Sequence, residues 1–407
     1  MALLGATVAQ TYDAATRTVT VAPSGGDDTL ALRTAFDVCQ AVGPGCTVQL
    51  TAGVFRTQQV EVRGFEGTFA GAGMEETVIE TLAPLVISPA DLDVTQRFAD
   101  REGGPVLLTF RDPSMHLRDL TVRNGLATPT TGWRFGLDRV RALWSLLLLE
   151  GTSLRVDVEH VAIEAVPGAP GRFSVLNGLW IRGLEDVPGR PIRAMTGTVT
   201  IRDSRIHGPE GGLFVSYAEA TTVVLRDSVI VADEAVGLIN LGTSLVEVRG
   251  NDLASGGPAV VLMLHHRGEP SGASTLVLTD NVLRSTQQDA RGRAFLLVDE
   301  GQSPSQFALV ARNTFELAGG AAVGGAGEGL VVRDNRITGR AEHGILVGGG
   351  PPGATASGWL VAGNDLSELA ATRAPIAILS VARSAVVTCD VPTAVTDAGR
   401  DSLVACD

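Results

Sequence analysis

At 407 residues and a formal charge of −13, the chain is long enough for an extensive core and too acidic to draw in polyanions, which disfavours nucleic acid. All 32 basic residues are Arg, so a lysine base, a lysine Schiff base and a phosphate-loop lysine are excluded. Gly at 49 positions, aromatics at 4% and many branched residues suit short strands between tight turns; the most apolar run, Leu143 to Leu149, is too short to span a membrane.

Residues 7–22 alternate in part, through Val19 and Val21, and read as an entering strand. Ser24-Gly-Gly-Asp-Asp-Thr29 is a turn offering an Asp N-cap, and Leu32, Ala35, Phe36 and Cys39 follow at helical spacing, giving one amphipathic helix that ends near Ala41. Thr47 to Phe55 holds a strand, a Gly turn and the start of a second strand, and Gly67 to Ile79 completes a coil. Pro- and Gly-bearing insertions at 81–104, 125–139, 164–176 and 183–196 then separate apolar strands such as Val106 to Phe110 and Gly178 to Arg182. Loops of this length over a repetitive body stand on one face and build a wall.

From Ile201 the chain repeats one phrase: apolar, two polar, Asn or Ser, any residue, apolar. Copies begin at Ile201, Leu225, Val248, Leu278, Val310, Val332 and Val361, at intervals of 24, 23, 30, 32, 22 and 29 residues, with weaker ones at Leu117 and Val158. Smaller insertions fall at 267–274 and 284–293. A period near this length with variable insertions means stacked coils in one continuous body. The expected fold is an all-β parallel β-solenoid: a cap-helix region at 24–46, coils over 47–383 and a closing segment at 384–407. The cap helix hides the open core of the first coil.

Gly26-Asp-Asp-Thr29 before a helix, Ala52-Gly-Val-Phe55 after the first strand, then Gly71-Ala-Gly73 and Thr77-Val-Ile79 resemble the opening of the pectate-lyase-like, right-handed parallel β-helix superfamily. The resemblance is close over 24–80 and generic through residue 383. It implies the right-handed β-helix fold and transfers no catalytic residue. Two sharper signatures of that superfamily are absent, the polygalacturonase pattern and the Asp-Pro-His-Glu of alginate epimerases. Asp112-Pro-Ser-Met-His116 keeps only the first two residues together, and His207-Gly208 and His343-Gly344 are partial echoes.

Asn251, Asn281, Asn313, Asn335 and Asn364 hold the fourth place of the phrase, with Ser204 and Ser228 before them, and read as an amide ladder that fixes a bend. The third-place Asp119, Asp203, Asp227, Asp280 and Asp334 read as solvated turn residues, with calcium as the one cofactor such a row suggests and no other expected. Cys39 with Cys46 and Cys389 with Cys406 form two local pairs, against the alternative of four reduced thiols. Terminal staples of this kind suit an extracellular or periplasmic protein. No signal peptide is legible, and the N-terminus reads as already trimmed.

Both faces of the strand after each phrase are apolar, so residues among Trp180, Phe214, Ile239, Val261, Met263, Leu296 and Leu346 must point outward, toward covering loops, a protein partner or an apolar ligand. At the ends of these strands stand Arg182, Tyr217, His265, His266, Arg267, Asp299 and Glu300, with His343 further along. Lyases and epimerases of the superfamily neutralise a sugar carboxylate and move the proton beside it. Arg182 or Arg267 suits the neutraliser, His265 or His266 the base and Tyr217 the acid, while Asp299 with Glu300 suits hydrolysis. The residues equally suit polar strand ends without chemistry. Three readings follow: a polysaccharide lyase or epimerase, a surface or assembly protein that binds a partner or itself through its apolar face, and an enzyme for an apolar small molecule.

Overall fold

The computed structural model describes residues 10–82, 106–125, 133–135, 139–141, 143–165, 175–184, 193–208, 210–239, 241–257, 259–263, 274–286, 293–298, 307–348, 355–389 and 393–406. The chain divides into two compact units, Met1–Glu210 and Gly211–Asp407. Each is built as coils of a right-handed parallel β-helix, the hand that parallel crossovers in one sheet take almost without exception. The insertions at 81–104, 125–139, 164–176 and 183–196 lie largely outside the described residues, as do most of 267–274 and 284–293.

The first unit opens differently from the sequence reading. The single entering strand is a hairpin, with Gln10–Asp13 antiparallel to Thr18–Val21. The alternation shows only in its second arm, because the first arm is largely exposed and has no apolar face to declare. Thr18–Val21 then starts a parallel sheet that continues through Cys46–Leu50, Glu66–Ala70, Ser114–Arg123, Ser153–Glu164 and Met195–Arg202. A second sheet stacks Val60–Arg63, Val106–Arg111, Leu143–Glu150 and Val175–Arg182.

Register assigns the faces. On the first sheet Phe69, Leu117, Val158 and Ile201 lie in line and are buried, while their neighbours Thr68, His116, Asp157 and Thr200 form the adjacent outward line. Alternate residues of a strand point to opposite faces, so one line builds the core and the next meets solvent.

The helix spans Thr29–Val42 and stops at Gly43, whose φ of 95° only glycine adopts readily. Its Phe36 ring packs edge-on against Phe65, Phe69 and Phe110 at centroid separations of 5.1, 4.9 and 5.6 Å, which plugs the first coil as expected. Asp28 stands at the N-cap but does not cap with its side chain. Its buried carboxylate accepts the backbone N–H of Ser24 and of Arg56, tying the helix start to the strand Gly53–Thr57. Asp27 accepts the Thr29 N–H instead. The Cys39–Cys46 disulfide anchors the helix to the strand that follows it.

In the second unit the first sheet runs through Ala218–Arg226, Leu245–Arg249, Thr275–Thr279, Phe307–Ala311, Leu330–Arg333, Leu360–Ala362, Val386–Thr388 and Leu403–Ala405. Its second sheet runs from Gly211–Ser216 through Glu234–Ile239, Val260–Met263, Arg293–Val298, Ala321–Gly325, Ile345–Val347 and Ile376–Ile378 to Val395–Asp397. Residues 384–407 therefore add strands to both sheets, pinned by Cys389–Cys406, and the last strand, Leu403–Ala405, is exposed.

The asparagine ladder forms. Asn251, Asn281, Asn313 and Asn335 each donate both their backbone N–H and their Nδ2 to Oδ1 of the next asparagine, at 2.9–3.1 Å. Ser228 begins the series by donating its N–H to Asn251. Each Nδ2 also reaches back to a carbonyl of the preceding coil, such as Val248 from Asn281. The third-place residue does more than sit in water. Asp119, Asp203, Asp227, Asp280 and Asp334 all adopt positive φ between 49° and 59°, as do His160 and Arg312, with Gly250 and Gly363 in the equivalent place. Asp tolerates this left-handed conformation better than most residues, which accounts for its recurrence at this place.

Candidate functional site

Of the residues singled out at the strand ends, Arg182 and Tyr217 are described, and they belong to different units. His265, His266, Arg267, Asp299 and Glu300 lie outside the described residues. Tyr217 has φ 56° and donates its N–H to the Ile239 carbonyl, so it turns the chain at the end of its strand. His343 holds the Ala374 carbonyl at 2.7 Å through Nδ1.

Arg182 is buried. Its Nε and Nη2 lie 3.0 and 2.9 Å from Glu150 Oε2, and its guanidinium carbon sits 4.5 Å from the centroid of the Trp180 ring. Glu150 is wholly buried, and Arg111 Nε approaches its other oxygen at 2.8 Å. Arg111 also pairs with the half-exposed Glu61 at 3.0 Å, so charge runs from the surface inward. Trp144 and Trp180 stack at 5.4 Å. The outer face of the second sheet in this unit is thus enclosed: Trp144, Leu146, Leu148 and Trp180 are all buried. Leu346 in the second unit is buried too, Phe214 and Ile239 are partly so, and the side chains of Val261, Met263 and Leu296 lie outside what is described. Several apolar side chains of the second unit reach solvent, some of them on its first sheet. Val277, Leu309, Val331, Leu360, Val386 and Leu403 follow one another in register, and Leu360 and Leu403 are 37% and 61% exposed.

An open groove of about 830 Å³ crosses the outer face of the first sheet in the first unit. Its floor comes from successive coils in register. One line is Glu66, Ser114, Arg155 and Thr198, and the next is Thr68, His116, Asp157 and Thr200. The strands rise roughly 4.8 Å per coil, so these polar groups repeat along the groove at a regular step. Gly67 and Gly197 also line it; an added Cβ at Gly197 would meet the Leu154 carbonyl at 2.0 Å, and the residue has φ 114°. Among the described residues no Phe, Tyr or Trp lines this groove, and its floor offers hydrogen-bonding and charged groups.

At its edge His116, Asp157 and Glu159 converge, the one group of three such residues among those described that could share an ion. His116 Nε2 lies 3.1 Å from Glu159 Oε2 and 3.9 Å from Asp157 Oδ2. An ionised carboxylate only accepts, so in the neutral ring a hydrogen bond to Glu159 puts the proton on Nε2 and the lone pair on Nδ1. Arg202, in line with Glu159, donates to Glu159 Oε1 and stands 3.6 Å from Asp157 Oδ2. Burial opposes charge on Arg202, but these two carboxylates outweigh it and hold its pKa above the ordinary guanidinium value. Arg155 is exposed in the groove, and no described residue pairs with its guanidinium.

The sequence offered a usable signal for this site. Ser153-Leu-Arg-Val-Asp-Val-Glu alternates strictly, which puts Arg155, Asp157 and Glu159 on one face. His116 could not be added, because pairing it with Asp157 requires the register across a 41-residue interval. The aspartates of the repeated phrase do not converge in this way: Asp280 is held by Arg249 at 3.3 Å and Arg312 at 2.8 Å.

No family model and no curated protein matches the chain. Among solved structures it is similar to the A-module of a mannuronan C-5 epimerase from Azotobacter vinelandii, at 14% identity and TM-score 0.37, covering 92% of this chain and 85% of that one. It is similar to a DFA-IIIase from Arthrobacter chlorophenolicus, at 15% identity and TM-score 0.47, covering 92% and 80%. An exopolygalacturonase from Thermotoga maritima is similar at 12% identity and TM-score 0.42, covering 81% and 89%. Likenesses of this size do not carry chemistry, which rests on the residues of the groove.

Proposed function

We propose that this is a carbohydrate-active β-helix protein that binds an extended acidic polysaccharide along the groove of its first unit and acts on it by lyase- or epimerase-type proton abstraction. The observation that supports the reading is the in-register floor, where Arg155, unpaired among the described residues, stands one line away from a His116 held by Glu159. Arg155 neutralises the sugar carboxylate, which acidifies the adjoining C–H bond. His116 Nδ1 takes that proton, with Glu159 fixing the ring as the carboxylate of a catalytic triad does. In elimination the C–H electron pair becomes the new C=C bond, the glycosidic C–O bond breaks, and the leaving oxygen takes a proton from groove water. In epimerisation the carbon is reprotonated from its other face by water.

Hydrolysis is less well supported. It needs two carboxyl groups flanking the scissile bond, whereas Asp157 and Glu159 are two residues apart on one strand and face one guanidinium. The two disulfides suit an oxidising compartment, so the same reading places the protein outside the cytoplasm. The test is a panel of uronate-containing and neutral glycans, followed by ultraviolet absorbance of unsaturated product and by exchange of solvent deuterium into recovered glycan. Activity on uronates that vanishes in His116→Gln supports the reading. Activity unchanged in that variant, or silence across the panel, overturns it.

A further inference from the structure

We infer that His116, Asp157 and Glu159 form a site for a divalent transition-metal ion of the zinc or cobalt class, and that the ion silences the base it binds. Tetrahedral ligands at about 2.1 Å from an ion stand about 3.4 Å from one another. The separations of His116 Nε2 from Glu159 Oε2 and Asp157 Oδ2, 3.1 and 3.9 Å, bracket that value. All three donors lie within 4.8 Å of one another, carried by two hydrogen-bonded strands in fixed register, so little ordering remains to be done on binding. The Asp157 side chain is 42% exposed, and its Oδ1, the oxygen not turned to His116, accepts no hydrogen bond among the described residues.

The donor set selects the ion. One imidazole and two carboxylates suit zinc, cobalt or nickel, whereas calcium takes six to eight oxygens at longer distances. His116 and Asp157 line the open groove, so an ion held there would be reached by water as its fourth ligand. Arg202 is the built-in competitor: it faces both carboxylates and must be partly displaced, which lowers affinity without occupying Nε2.

The consequence for chemistry follows from the imidazole. With the ion on Nε2, the neutral ring carries its proton on Nδ1, so the lone pair assigned above to proton abstraction is gone. Metal and catalysis at this cluster are therefore mutually exclusive. The second claim rests on the proposed function; the first does not.

The experiment uses the full chain without glycan. Cobalt is titrated while its visible absorption is followed, and zinc binding is measured by calorimetry, with calcium as the contrast. One ion per chain is expected, at micromolar affinity or tighter, weakened at least tenfold in His116→Gln and in Asp157→Asn and strengthened in Arg202→Met. Circular dichroism checks that each variant is folded. Absence of cobalt binding at hundred-micromolar concentration, or binding indifferent to both ligand variants, overturns the site. Where the glycan assay responds, saturating zinc abolishes turnover and a chelator restores it; full turnover with zinc bound overturns the exclusivity and leaves the proposed function standing.

Discussion

Arg182 and Glu150 meet at 2.9 Å inside the first unit, and the carboxylate they share with Arg111 has no exposure to solvent. A buried pair of this kind is expensive to break from one side, because the survivor keeps its charge and loses its partner. Glu150→Ala takes the buried carboxylate away from Arg182, leaves Arg111 to Glu61, and is expected to destabilise the first unit by about 3–5 kcal/mol. Adding Arg182→Met to that variant should recover part of the loss, read from denaturant midpoints. Full additivity of the two changes would show that the pair is not coupled.

The asparagine ladder makes a graded prediction. Asn281→Ala leaves the Asn251 N–H and the Val248 carbonyl buried without their partner, at about 1–3 kcal/mol for each group. Asn364 is the last acceptor of the series and only partly buried, so Asn364→Ala should cost less. Equal losses at both positions would contradict a ladder that shares its bonds coil to coil.

Acid weakens the second unit through Asp280. The Arg312 hydrogen bond holds the Asp280 carboxyl below its ordinary value, against desolvation and with further help from the charges of Arg312 and Arg249. A depressed folded pKa contributes stability above the unfolded value, about 3.9, and that stability is lost as pH falls through the folded one. The pair is partly exposed, so the contribution is under about 1 kcal/mol. Asp280→Asn should therefore be less stable than the parent at neutral pH, with the difference closing well below pH 4 and shrinking in high salt.

Removing the terminal disulfides separates two effects. Chain-entropy arguments give about 2.5 kcal/mol for the short Cys39–Cys46 loop and about 3 kcal/mol for the longer Cys389–Cys406 loop. Cys39→Ala with Cys46→Ala should also loosen the helix that carries Phe36, seen as faster hydrogen exchange along Thr29–Val42. Exchange unchanged there would mean that the aromatic cluster alone seats the helix.

In the groove, Arg155→Ala should raise KM for an acidic glycan tenfold or more, the cost of a lost charged hydrogen bond of about 1.5–3 kcal/mol. A neutral glycan should be nearly indifferent. Equal effects on both would assign Arg155 to the shape of the groove instead of to charge recognition.

The solenoid was legible because its determinants are local and repeated. Asn281 and Asn313 each sit in a phrase that declares its own bend, and Phe36 announces the cap at helical spacing. The site was not, because it depends on which coil lies beside which. His116 and Asp157 become neighbours only through a register set by buried lines such as Leu117 and Val158. Glu150 escaped for a different reason. It ends an apolar run, where a lone carboxylate reads as the start of a loop, and only its neighbours Arg111 and Arg182 on flanking strands explain its burial.

The ladder also says how this protein can change length. From Asn251 to Asn335 each asparagine bonds forward to its successor and backward to the coil before it, so any two of these members are interchangeable ends of a joint. Excising the 32-residue interval that starts at Asn281 would bring Asn251 against Asn313 with the same donors facing the same acceptors. Lengthening or shortening by whole coils is thus nearly free of local conflict. A single-residue deletion inside the phrase turns the side chains of that strand to the wrong face. The molecule is edited in units of one turn.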